Sequence, residues 1–167
     1  MSPASAHHRA RRLALQGLCC LDVQGQEGMG CAMLFVRDSR EDESTVAEAE
    51  TILHGTFQAY EQTDAMLAGE SRHWDVGRMA LVDRNILRLA LWEMLNDRAP
   101  RKVVISEALR LAREFSAAES YRFINGVLDA AARRMLDAGG QSDAEPPGES
   151  EESSPPDAPD QPETPEG

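Results

Sequence analysis

The sequence predicts an all-α fold. Apolar residues recur every three to four positions through most of residues 9–136, as they do along one face of an α-helix. No segment alternates apolar and polar residues in the manner of a half-buried strand. Glycine, proline and capping residues divide the periodic stretch into about five to seven helices, whose apolar faces must pack against one another.

The first helix is predicted from Arg9 to about Gln24, because leucines recur there every three residues. Three glycines within residues 25–30 make its continuation unfavourable. The short apolar stretch 31–37 fits a strand-like loop or a helical turn, and the sequence does not decide between them.

A second helix is predicted to start at an N-cap, Ser44, and to run to about Ala68. Gly69 suits the end of that helix, because glycine adopts the left-handed conformation that closes many helices. Trp74 is expected in the connector that follows, together with a short helical turn through Met79.

The next helix is predicted to begin after an N-cap, Asp83, and to end at residues 96–99. Pro100 favours a new helix start, where its missing N–H leaves no hydrogen bond unmade. Residues 116–119 have the Ser-x-x-Glu spacing of a capping box, which predicts a last helix from there to about Leu136.

Three residues of the last helix are assigned to packing. Asn125 is expected to cap or bridge backbone groups between helices, and Gly126 to permit close helix approach. Phe123 lies off the main apolar stripe of this helix, so a second packing contact is its simplest role.

The C-terminal segment 139–167 differs in composition from the rest of the chain. It contains nine acidic residues, no lysine or arginine, and seven of the nine prolines. Such a segment buries too little apolar surface to offset its ordering entropy, so we predict a folded domain at 1–138 and a disordered acidic tail at 139–167. The tail carries −9 of the net charge of −12, which leaves −3 for residues 1–138. An acidic chain is therefore compatible with a folded part that binds nucleic acid.

Composition and motifs predict a cytoplasmic protein that is not an enzyme and holds no metal or cofactor. The three cysteines are odd in number and lack a C-x-x-C spacing, which favours reduced thiols. Adjacent Cys19 and Cys20 face different sides of a helix and are not expected to hold one metal ion jointly. No apolar run is long enough to cross a membrane. The arginine-rich start leaves a targeting peptide as a minor alternative.

The histidines and carboxylates show no catalytic pattern. No histidine has a partner at metal-ligand spacing, and no carboxylate pair differs from ordinary solvated helix faces. Four residues are expected to be surface or helix-face histidines: His7, His8, His54 and His73.

An arginine cluster near the N-terminus is the better functional indication. Residues 1–21 contain no acidic residue. Arg9 and Arg12 are three positions apart and share one side of the helix, while Arg11 points elsewhere and broadens the patch. Guanidinium groups can bind phosphate oxygens and stack on unpaired bases. Composition alone slightly favours a solubilising terminus, although positive charge at a helix start opposes the helix dipole, which indicates another use.

Residues 83–129 contain, in this order, the segments DRNILRLA, KV, EA and FINGVLD. Together they resemble the C-terminal half of the NusB family of bacterial transcription antitermination factors. The resemblance extends over roughly 9–136 and includes the family's A-x-Q-x-L pattern at 14–18. It implies two small helical bundles packed side by side.

The resemblance also implies a function. A NusB-like protein binds boxA-like single-stranded RNA together with NusE, a ribosomal protein of the small subunit. The pair joins the antitermination complex on RNA polymerase and supports elongation of ribosomal RNA transcripts.

The resemblance assigns particular residues to these contacts. Those assigned to RNA binding are Arg9, Arg11, Arg12, Gln16, Arg122 and Phe123. Those placed on the partner or RNA surface are Cys19, Asp83 and Glu119. Cys19 departs from the family, in which an aromatic residue is common at this position, so its effect on RNA affinity stays open. Helix capping is an adequate alternative role for the two acids.

Two other functions fit the sequence. One is a helical protein–protein adaptor with weak or lost RNA recognition, suggested by Cys19 and the acidic tail. The other is an accessory of RNA modification, less favoured because no methyltransferase domain follows residue 138. The tail is expected to be a solvated terminus, with competition against RNA for the arginines as the alternative. The oligomeric state and the exact RNA sequence do not follow from the chain.

Overall fold

The computed structural model describes residues 3–70 and 76–139 and confirms the all-α prediction. Within these ranges the α-helices are α1 (Pro3–Gln24), α2 (Met29–Arg37), α3 (Glu43–Gln58), α4 (Tyr60–Glu70), α5 (Leu81–Leu95), α6 (Arg101–Phe115) and α7 (Ser120–Gly139). Single turns of 3-10 helix at Gln26–Gly28 and Val76–Arg78 precede α2 and α5. Trp74 and the predicted tail beyond Gly139 lie outside the described residues.

The helices form two groups that are joined through α5. In the first group, α1 packs against α2 and α3. In the second group, α5, α6 and α7 pack against one another, and α4 packs on α5 and α7. Both α1 and α3 also contact α5. This arrangement agrees with the pair of small helical bundles that the family resemblance implies.

The core is continuous across the two groups, because α5 is buried along most of its length. Every residue from Asn85 to Met94 is buried, whereas α3 and α6 bury one face each. The largest fully buried side chains are Leu15, Leu18, Leu21, Ile52, Leu53, Leu67, Ile86, Leu87, Leu89, Leu91, Leu111 and Ile124. Burying one such side chain stabilises the fold by about 1.5–3 kcal/mol relative to exposing it.

Two glycines permit close helix contacts in this core. A Cβ atom on Gly17 would lie 3.2 Å from Cδ2 of Leu53, so the glycine allows α1 to approach α3 closely. A Cβ atom on Gly55 would overlap the indole ring of Trp92. The ring therefore occupies the space that any larger residue at position 55 would need.

The first two helices differ from prediction in their extent. Helix α1 begins at Pro3, well before the predicted start at Arg9. Gly25 follows α1 with a φ of 77°, a conformation that favours glycine. The stretch 31–37, left open by the sequence, lies in α2, whose Ala32 and Val36 are buried one turn apart.

The predicted helix 44–68 is in fact two helices, α3 and α4, separated at Ala59. The N-cap of α3 is Asp42, which accepts a hydrogen bond from the backbone N–H of Thr45, so the prediction of Ser44 as N-cap is wrong. The Ser44 hydroxyl instead donates to Asp42. Hydrogen bonds from Ser44 and then Thr45 hold the pKa of Asp42 well below its usual range.

The prediction of Asp83 as an N-cap is also wrong, because α5 begins at Leu81 and Asp83 lies inside its first turn. The Asp83 carboxylate accepts hydrogen bonds from the hydroxyls of Ser116 and Ser120. Ser116 ends α6, and α7 begins only at Ser120, so the predicted capping box with Glu119 does not form. Asp83 therefore joins α5 to the turn between α6 and α7.

Candidate nucleic-acid interface

Helix α1 carries most of the residues assigned to RNA, and the structure divides them between two sides. Its inner side, defined by His8, Arg11 and Leu15, is buried. Its outer side, defined by Arg12 and Gln16, is exposed. The helix dipole opposes positive charge most strongly in the first helical turn. Because α1 begins at Pro3, these arginines lie beyond that turn.

Arg11 forms an ion pair inside the protein. Its Nε lies 3.0 Å from each carboxylate oxygen of Glu93, and its Nη2 lies 2.9 Å from one of them. The exposed fractions are 8% for the Arg11 side chain and 2% for the Glu93 side chain. The prediction that Arg11 broadens an exposed patch is therefore wrong.

His8, predicted to be a surface or helix-face histidine, lies on the buried face of α1 beside this ion pair and not at the surface. Its Nδ1 lies 2.7 Å from Glu107 and its Nε2 lies 2.8 Å from Glu114. An ionised carboxylate accepts hydrogen bonds and donates none, so both contacts form together when both ring nitrogens carry protons. Through His8 and Arg11, the inner side of α1 is attached to α5 and α6.

Arg9 contacts the loop between α2 and α3. Its Nε lies 2.7 Å from Glu41, and its Nη2 lies 2.9 Å from Asp42. The hydrogen bond to Glu41 raises the pKa of Arg9. With 16% of its side chain exposed, Arg9 holds this loop against α1.

The outer side of α1 borders an open groove, here named the α1–α2 groove. It has a volume of about 530 Å³ and lies between α1, the end of α2 and the following loop. Arg12 and Gln16 line it from α1. The Arg12 side chain is 44% exposed, and its Nη2 lies 3.4 Å from Glu41, a long contact for an ion pair. Arg12 and Gln16 are thus accessible to a ligand without rearrangement of the core.

Cys19 is half-buried where α1 meets α5. Its Sγ lies 3.9 Å from Nδ2 of Asn85, and burial raises the pKa of Cys19 to about 11. The thiol therefore stays protonated at neutral pH. Asn85, its neighbour on α5, belongs to a polar network.

The polar network connects α1, α4 and α5, and the sequence analysis did not identify it. The carboxylate of Asp22 accepts hydrogen bonds from three residues of α5: Arg84, Asn85 and Arg88. Arg88 also pairs with Asp64 at 2.7 Å, and its guanidinium lies 3.9 Å from the ring centroid of Tyr60. Burial raises the pKa of Tyr60. The four-residue spacing of Arg84 and Arg88 was a sequence signal that both face one partner.

The remaining assigned residues lie near the starts of α5 and α7. Asp83 is buried and bound to its two serines, whereas Glu119 and Arg122 are exposed. Phe123 is half-buried and packs against the core, in agreement with its predicted packing role. The accessible members of this second set are therefore Glu119 and Arg122.

The structural roles predicted for Asn125 and Gly126 are wrong. The Asn125 amide donates to Asp129 within the same helix and bridges no second helix through this bond. Gly126 is exposed, and a Cβ atom at this position would have no neighbour within 4 Å.

Residues 3–70 and 76–139 lack the features of a metal site or a membrane-spanning helix. No group of three or more His, Cys, Asp or Glu side chains in these ranges could hold a metal ion. In the same ranges, no helix combines the length and apolar character needed to cross a membrane. His7 and His54 are exposed, as predicted, and His73 lies outside the described residues.

Comparison with known sequences identifies relatives over most of the chain. The model of the NusB family matches residues 8–133. The chain is 36% identical over 148 residues to the transcription antitermination protein NusB of Symbiobacterium thermophilum, covering 83% of this chain and 97% of that protein. It is 39% identical over 133 residues to the protein of the same name from Solibacter usitatus, covering 78% and 91% respectively.

Comparison with solved structures finds the same fold. NusB of T. maritima superposes with a TM-score of 0.71 at 26% identity, covering 80% of this chain and 92% of that one. A structure of antitermination factors NusB and NusE in complex with dsRNA superposes with a TM-score of 0.70 at 20% identity, covering 78% and 98%. The second similarity establishes the shared fold alone.

Proposed function

Because this chain belongs to the NusB family, we propose that it is a transcription antitermination factor. In this role it binds boxA-like single-stranded RNA together with ribosomal protein NusE and supports elongation of ribosomal RNA transcripts. Two supporting observations come from the comparisons. Relatives aligned over nearly their full length are named transcription antitermination protein NusB, and a protein of the same fold was solved with NusE and dsRNA.

The observation that carries this proposal is the exposed outer side of α1. Arg12 and Gln16 lie one helical turn apart beside the α1–α2 groove. A guanidinium can bind phosphate oxygens, and a glutamine amide can donate to and accept from a base edge. Together they provide the two kinds of contact that single-stranded RNA recognition needs.

The mechanism is binding without a chemical reaction. The RNA is held jointly by this protein and NusE and is thereby kept near the elongating polymerase. In this proposal the protein acts in the cytoplasm through a domain at 1–138, and the acidic segment 139–167 is not part of that domain.

The assigned residues contribute unequally. We rank Arg12 and Gln16 first, because both are exposed. Arg9 adds charge beside Arg12 on α1, and Arg122 and Phe123 are further candidates at the start of α7. Three residues act mainly by supporting the fold: Arg11, Cys19 and Asp83. Glu119 is exposed and is a candidate for the partner or RNA surface. For each phosphate that is neutralised, the salt slope of single-strand binding changes by about −0.7, so this small set gives a shallow salt dependence.

The test is a titration of labelled boxA-like RNA and of a scrambled strand, with and without NusE, across a range of salt. We expect weak binding by this protein alone, a preference for the boxA-like strand, and tighter binding when NusE is present. Equal affinity for both strands under both conditions would contradict the proposal.

Variants should target the outer side of α1, because replacing Arg11 removes a buried charge and perturbs folding. Arg12→Gln combined with Gln16→Ala is expected to weaken RNA binding. Arg37→Gln is a suitable control, because Arg37 is exposed on α2 and does not line the groove.

A helical adaptor with weak RNA recognition is the second candidate. It is favoured by the acidic partners of Arg9 and Arg11, which neutralise two of the three N-terminal arginines. An adaptor would bind NusE with unchanged affinity after the Arg12 and Gln16 substitutions and would show no preference among RNA strands.

A further inference from the structure

The α1–α2 groove has a second wall that contains an aromatic ring. Phe35, near the end of α2, lines the groove opposite α1 and is 45% exposed. Arg40, in the loop that follows, also lines it and is exposed. Neither residue belongs to the set that the family resemblance assigns to RNA. The exposed ring and the two arginines therefore give the groove both an apolar surface and cationic groups.

The groove lining combines groups that suit a nucleotide. An exposed ring provides a stacking surface for a base, and arginines at the rim provide contacts for phosphates. The Gln16 amide lies in the same lining and can pair with a base edge. The hydroxyl of Ser39, another lining residue, is buried without a hydrogen-bond partner in the described part of the chain.

Two acidic residues line the groove, Asp38 and Glu41, and neither prevents such binding. Asp38 is exposed, so its charge stays hydrated and is screened by salt. Glu41 is held by Arg9 at 2.7 Å, so much of its charge is compensated before any ligand enters. Its contact with Arg12 is longer, at 3.4 Å, and more exposed. Such a contact contributes little, so Arg12 can exchange it for a phosphate.

We propose that the α1–α2 groove binds one nucleotide of the RNA, with its base stacked on Phe35 and its flanking phosphates on Arg12 and Arg40. This inference rests on the proposed RNA-binding function and adds a specific stacking residue to it. The ring on α2 would supply the aromatic contact that the cysteine at position 19 does not provide. RNA affinity would then depend on α2, a helix outside the matched motifs.

The test uses matched variants of the full chain with boxA-like RNA in the presence of NusE. Phe35→Leu keeps an apolar side chain and removes the ring, and its control is Phe115→Leu on α6, where the phenylalanine is also exposed. We expect Phe35→Leu to bind RNA about fivefold to tenfold more weakly and Phe115→Leu to bind as the unaltered protein does. Arg40→Gln should weaken binding about twofold to threefold and Arg37→Gln should not.

A second measurement reports on stacking directly. In Phe35→Trp, an indole replaces the phenyl ring, so RNA affinity should be retained. The fluorescence of this indole should be quenched when RNA binds. RNA containing 4-thiouridine should crosslink to the peptide that contains Phe35.

The outcomes separate the two proposals. If the unaltered protein does not distinguish boxA-like from scrambled RNA, the proposed function itself fails. If it does distinguish them while Phe35→Leu and Arg40→Gln behave as their controls do, the groove inference alone is overturned. Loss of NusE binding by Phe35→Leu, with unchanged RNA binding, would also overturn it, because the groove would then be a protein contact.

Discussion

The two sides of α1 carry the same kinds of residue and use them in opposite ways. On the inner side, Arg11 and His8 are buried against glutamates of α5 and α6. On the outer side, Arg12 borders an open groove. Arg11 and Arg12 are adjacent in sequence and about 100° apart around the helix. A rotation of this size separates a residue that supports the fold from one that can bind a ligand.

The energetic difference follows from solvation. A buried charge has lost its water, so it needs its partner, and removing that partner leaves an uncompensated charge in the core. An exposed charge remains hydrated, so its ion pairs contribute little to stability. Substitutions on the two sides of α1 should therefore separate effects on folding from effects on RNA binding.

The largest expected effect is that of Arg11→Ala. This substitution leaves the Glu93 carboxylate, whose side chain is 2% exposed, without its main cation. Loss of one partner of a buried ion pair destabilises a protein by about 3–5 kcal/mol. Urea denaturation followed by circular dichroism measures the change, with Arg12→Ala as the matched control. A loss similar to that of the control would show that the inner arginine is dispensable for folding.

A smaller loss is expected for His8→Ala, because two hydrogen bonds to carboxylates disappear together. Hydrogen bonds to charged groups contribute about 1.5–3 kcal/mol each, and relaxation of Glu107 and Glu114 into solvent offsets part of this. His7→Ala, at the exposed neighbouring position, should leave the free energy of unfolding within about 0.5 kcal/mol. Equal unfolding midpoints for the two variants would contradict the role assigned to His8.

On the outer side, Arg12→Gln should leave stability within about 0.5 kcal/mol while weakening RNA binding. Removal of one phosphate contact should also reduce the magnitude of the salt slope by about 0.7. Titrations at several salt concentrations measure both quantities, and Arg37→Gln should change neither. An unchanged slope would place the phosphate contacts elsewhere on the protein.

The smallest effect concerns thiol chemistry and requires no substitution. Cys31 is exposed, whereas burial raises the pKa of Cys19 to about 11. The thiolate is the reactive form, so alkylation at pH 8 should modify Cys31 first and Cys19 last. Labelling of Cys19 should accelerate as the pH rises from 8 towards 11, because its thiolate fraction increases. Mass spectrometry of timed iodoacetamide reactions gives the order, and early labelling of Cys19 would contradict its buried placement.

Most helices could be predicted from the sequence, because apolar periodicity reports burial directly. The error at Asp83 arose because its side chain has tertiary partners in place of a local one. Asp83 and Ser116 were each predicted to cap the start of a helix, yet they bind each other across the α5–α6 interface. Capping rules consider only residues that are close in sequence, so they cannot identify a partner that is close only in space.

The functional assignments also differ in how far the sequence indicates them. The burial of Arg11 has a sequence signal that was missed, since it precedes Leu15 and Leu18 by four and seven positions and shares their side of the helix. The groove formed with Phe35 has no such signal. It depends on how α2 is placed against α1, which is set by the contacts of Ala32 and Val36 and not by any motif.

Arg88 has a geometric consequence for the whole molecule. Its guanidinium is bound to Asp22 of α1 on one side and to Asp64 of α4 on the other. Apolar surfaces allow helices to slide past one another, whereas a planar fork of hydrogen bonds is satisfied in one orientation. Helices from the two halves of the protein are therefore fixed at a set angle. A ligand held on α1 would therefore keep a constant position relative to α4 and α5.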